Sequence, residues 1–105
     1  MAVDYEAVGQ TVSSYVADVK SAIPIDRAFL FGSYAKGTAT EQSDIDVCFF
    51  SHSFEEMLSL DIMKLLFRLT RKYKGIDIEP HGFATSELEN DNPFVKEILR
   101  TGREI

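Results

Sequence analysis

Two carboxylates stand two residues apart in Asp44-Ile45-Asp46, inside an otherwise apolar run that continues Val47, Cys48, Phe49 and Phe50. On an extended strand, side chains at i and i+2 point to one face, with Cα atoms about 7 Å apart. Like charges so placed repel, and each costs free energy when desolvated without a partner. A divalent cation relieves both penalties. Oxygen-rich sites suit Mg²⁺, which keeps waters and takes phosphate oxygens as further ligands. The plainer alternative is a solvated strand face, and the apolar character of the rest of the run argues against it. If two metals are held, a third carboxylate should come from a neighbouring strand. Asp77 and Glu79, in Ile76-Asp77-Ile78-Glu79-Pro80, are the candidates. They share a face by parity, and parity does not choose between them.

A second group of residues precedes the carboxylates. Gly32 and Ser33 leave a short apolar run, Arg27 to Phe31. A glycine there lets backbone approach a ligand closely, and the following N–H groups can point at an anion where a helical turn begins. Lys36 adds a positive charge, and Gly37 permits a sharp turn. A Gly-Ser pair alone is common and is often only a turn. Its weight comes from the residues downstream of it: Asp-x-Asp after a gap of ten residues, and later still an acidic strand.

The elements that position these residues are set by periodicity. Val8, Val12, Tyr15, Val16, Val19 and Ile23 recur at helical steps and predict a helix over about 3–20, ended by Pro24. Residues 27–31 and 44–50 read as strands, with a loop over 33–43 that contains at most one helical turn. Ser53-Phe54-Glu55-Glu56 has the form of a capping box, so a helix is expected from Ser53. Its buried face would be Met57, Leu58, Ile62, Leu65, Leu66, Leu69 and Tyr73, with Gly75 as the stop. Residues 76–83 read as a third strand, pinned to the core by Ile76 and Ile78, with Pro80 at an edge or bulge. Asn92 and Pro93 cap a last helix that ends at Gly102, and residues 103–105 can add an edge strand. The fold class is therefore α+β: a small mixed sheet with helices mainly on one face and the other face partly open.

Composition narrows the function classes. The chain has 105 residues, 45% hydrophobic and 27% charged, which suits one ordinary globular domain. A lone cysteine, Cys48, excludes an intrachain disulfide. No apolar run reaches the roughly 20 residues of a membrane span. The first ten residues carry Asp4 and Glu6 and no basic side chain, the wrong sign for a targeting peptide. The cytoplasm is expected, with no membrane partner. Eleven basic against seventeen acidic residues give a net charge of −6, which argues against nucleic acid as a direct partner. Lys64, Arg68, Arg71 and Lys72 form a basic stripe, read as the solvated face of an amphipathic helix. Cys48, His52 and His81 lack zinc-ligand spacing. Cys48 reads as a small buried hydrophobe, and Phe29, Phe31, Phe49 and Phe67 as core.

Gly32-Ser33-Tyr34-Ala35-Lys36-Gly37, followed by Ser43-Asp44-Ile45-Asp46-Val47, resembles the DNA polymerase beta-like nucleotidyltransferase superfamily. It is most similar to the minimal members, the MNT group, whose closing helix resembles the tail from Asn92 to Gly102. The resemblance implies a nucleotidyltransferase fold, with residues 1–105 forming a single minimal domain. It implies that Gly32 and Ser33, with Lys36 and Ser43, bind a nucleoside triphosphate, ATP being the expected donor. It further implies that Asp44 and Asp46 ligate two Mg²⁺ ions, with Mn²⁺ as the alternative. Asp77 or Glu79 would complete the metal site and help deprotonate an acceptor hydroxyl. Lys36 stands where many relatives carry arginine, which keeps the charge and loses the bidentate geometry. Larger relatives bind the acceptor on an additional helical domain that this length leaves no room for. The acceptor site is thus expected on a HEPN-type partner, as in toxin–antitoxin pairs, or across a homo-oligomer interface. Two other functions stay in view on the same resemblance: a non-catalytic antitoxin of this fold, and a transferase acting on a small molecule such as an antibiotic.

Overall fold

The computed structural model describes residues 3–105. Helix α1 spans Tyr5–Ala22 and buries Val12, Tyr15, Val16 and Val19, which recur at steps that keep one side of the helix toward the sheet. Asp4 caps it, its carboxylate accepting the Ala7 N–H at 3.0 Å. Strand β1 (Arg27–Phe31) leads through Gly32 into a four-residue helix α2 (Ser33–Lys36), and β2 (Ile45–Ser51) returns antiparallel to β1. Helix α3 (Ser59–Arg68) crosses to β3 (Ile78–Ala84), which lies parallel to β2. Helix α4 (Pro93–Thr101) and a two-residue β4 (Arg103–Glu104) complete the chain. The sheet order is β3-β2-β1-β4. Pro80 thus sits on an edge strand, where its missing N–H disturbs pairing on one side only. At the other edge Arg27 donates to both carboxylate oxygens of Glu104, at 2.9 and 2.7 Å.

Alternation along the strands sorts the core into two layers. On one face α1 and α3 pack against Ala28, Ile45, Val47, Phe49 and Ile78. The Tyr15 hydroxyl donates to the Leu66 carbonyl at 2.8 Å and ties the two helices together beneath Phe49. On the other face α4 lays Val95 and Ile98 over Phe29, Cys48 and Phe50. The expected α+β mixed sheet, with helices mainly on one face, is the architecture observed. Among the described residues, no helix is long and apolar enough to cross a membrane.

The structure corrects the region after β2. Ser53 does not start a helix. A 3₁₀ turn spans His52–Phe54, and α3 begins only at Ser59. Ser51, not Ser53, supplies the cap: its hydroxyl accepts the Ser53 N–H at 3.0 Å and donates to the Pro24 carbonyl at 2.5 Å. Glu55 instead reaches across the chain and accepts from the Ser86 N–H and hydroxyl, at 3.1 and 3.0 Å. Buried Phe54 and these long-range bonds outweigh the local box. With the helix start moved, Leu58 is 72% exposed rather than buried. Phe67 is exposed as well, because α3 turns Ile62 and Leu66 toward the sheet, and so is Ile76, which lies ahead of β3 rather than within it.

Candidate active site

Asp46 is the hinge of the site. It lies on β2 with Phe31 of β1 opposite it on one side and Glu79 of β3 opposite it on the other. Parity places Asp46, Glu79 and His81 on the face that α4 only partly covers. Asp44 precedes β2 on the same parity and is exposed. Asp46 is half-buried, and its carboxyl is raised from the ordinary 3.8. Burial is the main cause; the charges of Asp44 and Glu79 push the same way, and His81 opposes them. The His81 Nε2 stands 3.9 Å from Asp46 Oδ1.

Gly32 explains how this carboxylate fits. Its φ of 74° lies in the left-handed region, and a Cβ added there would meet Asp46 Oδ2 at 2.3 Å. Only glycine allows the turn between β1 and α2 to close over the carboxylate. Its carbonyl accepts from the Ala35 and Lys36 N–H groups, both at 3.1 Å, which holds α2 in place. Ser33 opens α2, and Lys36 at its end is exposed, close enough to α4 to help lower the Glu97 carboxyl. Gly37 terminates α2 in the left-handed conformation.

The two remaining candidates lie elsewhere. Ser43 belongs to a turn: its hydroxyl accepts the Thr40 N–H at 2.9 Å. Asp77 precedes β3, and its carbonyl accepts the Ile45 N–H at 2.8 Å. Both line a cavity of about 180 Å³ shared with Thr11 and Tyr34, on the α1 side of the sheet. A second cavity, of about 230 Å³, lies between α1 and β4. Neither of these cavities is lined by Asp46 or Glu79.

The carboxylate donors are all oxygen, which suits Mg²⁺. Among the described residues, no three Asp, Glu, His or Cys side chains are gathered into a ready-made metal cage. Cys48 takes no part: it is fully buried, and burial pushes its thiol up to about 12.

Sequence reasoning missed an aromatic pair on this face, Phe31, which stands opposite Asp46, and Phe94, which packs on Phe31. Phe31 and Phe94 form an edge-to-face pair with ring centroids 5.6 Å apart, and each also touches His81. Phe94 sits on the same helical stripe as Ile98, so its spacing reads as ordinary core. Only the exposure of its ring separates it from that core.

The family described as a nucleotidyltransferase domain matches residues 12–100. The crystal structure of a provisionally assigned nucleotidyltransferase from Sulfolobus solfataricus is similar in fold, with a TM-score of 0.61. It is 21% identical, over 98% of this chain and 87% of that one. No curated protein matches the sequence.

Proposed function

The chain belongs to the nucleotidyltransferase domain family, and from that premise we propose that it transfers a nucleoside monophosphate, AMP from ATP, to a hydroxyl of a partner. The observation that carries this reading is the meeting, on one half-open sheet face, of Asp46, Glu79 and the Gly32 turn. A half-buried, like-charged carboxylate pair against a glycine-lined anion approach is costly for the fold and useful for binding a metal-complexed triphosphate.

In this reading Glu79 is the third acid, because it stands in register with Asp46 while Asp77 precedes the paired residues of β3. Asp44, Asp46 and Glu79 would hold two Mg²⁺ ions, or Mn²⁺, which when bound supply the charge that polarises the α-phosphate and stabilises departing pyrophosphate. Gly32 and Ser33 orient the triphosphate, and the Lys36 ammonium offsets part of its charge. Ser43 acts indirectly, by holding the turn that delivers Asp44. The Glu79 carboxylate takes the proton of the acceptor hydroxyl. The acceptor oxygen then bonds to the α-phosphorus in line, as the bond to pyrophosphate breaks.

The acceptor belongs to a second molecule. By the MNT resemblance this is a HEPN-type protein, with the present chain as its antitoxin in the cytoplasm; a second copy of the chain is the other source of an acceptor surface. Incubation with the product of the adjacent gene, ATP and Mg²⁺, with intact-mass analysis of both proteins, tests this. A mass gain of one adenylyl group on the partner is expected. Tight association without a gain would replace transfer by a non-catalytic antitoxin role. Neither a gain nor association would overturn the partner assignment altogether.

A further inference from the structure

Beside the carboxylates, the half-open face carries a connected set of aromatic rings. Phe31 ends β1 opposite Asp46, and His81 lies two residues beyond Glu79 on β3. Their ring centroids are 5.2 Å apart. Phe94, in the first turn of α4, lies against both, 5.6 Å from Phe31 and 5.7 Å from His81, and Phe83 supports it at 5.8 Å. The backbone beneath the ring is held too. The Asn92 side chain accepts from the Phe94 and Val95 N–H groups at 3.0 and 3.4 Å, and Pro93 sets the entry angle. Phe94 nevertheless remains 41% exposed, whereas Val95 and Ile98 are 1% exposed and already fill the core under α4. The packing of α4 therefore does not account for the ring. It is a partly exposed flat surface whose ring contacts, Phe31 and His81, are themselves neighbours of Asp46.

We propose that Phe94, backed by Phe31 and His81, forms a stacking subsite for the base of the donor nucleotide. This rests on the nucleotidyl-transfer reading, which puts the triphosphate over the Gly32–Ser33 turn and the metal-holding carboxylates and so leaves the base to find a surface beyond them. A preorganised ring needs no ordering on binding, so most of the contact energy appears as affinity. Stacking accepts every base, because each has a π face, and favours the larger ring system. The subsite thus selects purines over pyrimidines and does not itself separate ATP from GTP.

Calorimetric titration with ATP, CTP and inorganic tripolyphosphate, each with Mg²⁺, tests the subsite. The wild-type protein should bind ATP about tenfold more tightly than tripolyphosphate, with CTP between them. Phe94→Leu keeps an apolar side chain on the core and removes the ring. It should lose most of that tenfold while binding tripolyphosphate as wild type does, and Phe94→Trp should retain it. Unchanged ATP binding by Phe94→Leu would overturn the subsite. So would equal weakening of ATP and tripolyphosphate, which would mark a purely structural role. Wild-type ATP binding no tighter than tripolyphosphate binding would overturn it while leaving the transfer reading intact. Failure of the wild type to bind either ATP or tripolyphosphate would overturn both.

Discussion

The two faces of strand β2 differ in what they ask of their neighbours. Toward α1 and α3 it presents Ile45, Val47 and Phe49, all buried, against a continuous apolar layer. Toward α4 it presents Asp46, then Cys48, then Phe50, and only the last two are covered. The first face has one character along its whole length. The second changes from carboxylate to hydrocarbon within a single strand. The difference shows where a small protein can place charged chemistry: at the strand start, where the second helical layer has ended. Two glycines repeat the contrast. Gly32 makes room for the Asp46 carboxylate, and Gly82 makes room for Ile62, Leu66 and Phe54 beneath α3. One clearance serves a site and the other serves packing.

The contrast breaks most visibly at Asp46. Asp46→Asn should abolish Mg²⁺-dependent nucleotide transfer, read by product mass, while making the fold more stable without divalent cations. The sign comes from linkage. The folded protein holds the Asp46 proton more tightly than the unfolded chain does, so the contribution of Asp46 to stability is full in acid and declines as pH rises above about 3.8. Melting curves of the variant and the wild type should coincide at low pH and separate toward neutrality, the variant melting higher.

On the opposite face, Phe49→Ala should lower the free energy of unfolding by about 3–5 kcal/mol, a large share of the total for a domain this size. Urea titration would measure it. The glycines sharpen the comparison further. Gly32→Ala should reduce turnover by roughly a hundredfold, since a displaced carboxylate misplaces the reacting groups. Gly82→Ala should leave the site intact and cost about 1–3 kcal/mol through overpacking. If Gly82→Ala abolished activity with the fold preserved, the division between the faces would be wrong. The smallest effect is expected for Tyr15→Phe, about 1–2 kcal/mol by the same urea titration. The ring contacts to Phe49 and Tyr73 survive, and only the hydroxyl bond to the Leu66 carbonyl is lost.

Legibility in the sequence depends on the range of the forces involved. Strand β1 is readable because a short apolar-rich run stops at a glycine, and α4 because Asn92, Pro93 and Gly102 mark its ends. The start of α3 is not readable. Ser53 to Glu56 satisfies the local pattern of a cap, yet Glu55 bonds Ser86, 31 residues away. Asp44, Asp46 and Gly32 stand out by type and spacing. Phe94 does not, since a ring on a helical stripe looks the same whether its far side meets core or solvent.

What the amino-acid order determines about this protein is local: a glycine turn after one strand, two carboxylates on one side of the next, and a later strand carrying Asp77 and Glu79. Side-chain parity fixes which residues of a strand share a face. It says nothing about which residue of another strand lies beside them. The tertiary structure decided that, because register depends on where α3 lets β3 join the sheet. It set Glu79 opposite Asp46 and left Asp77 just ahead of the paired residues. It also stopped α4 short of the carboxylates, with Phe94 at the boundary, because Val95 and Ile98 are the residues its packing against the sheet consumes.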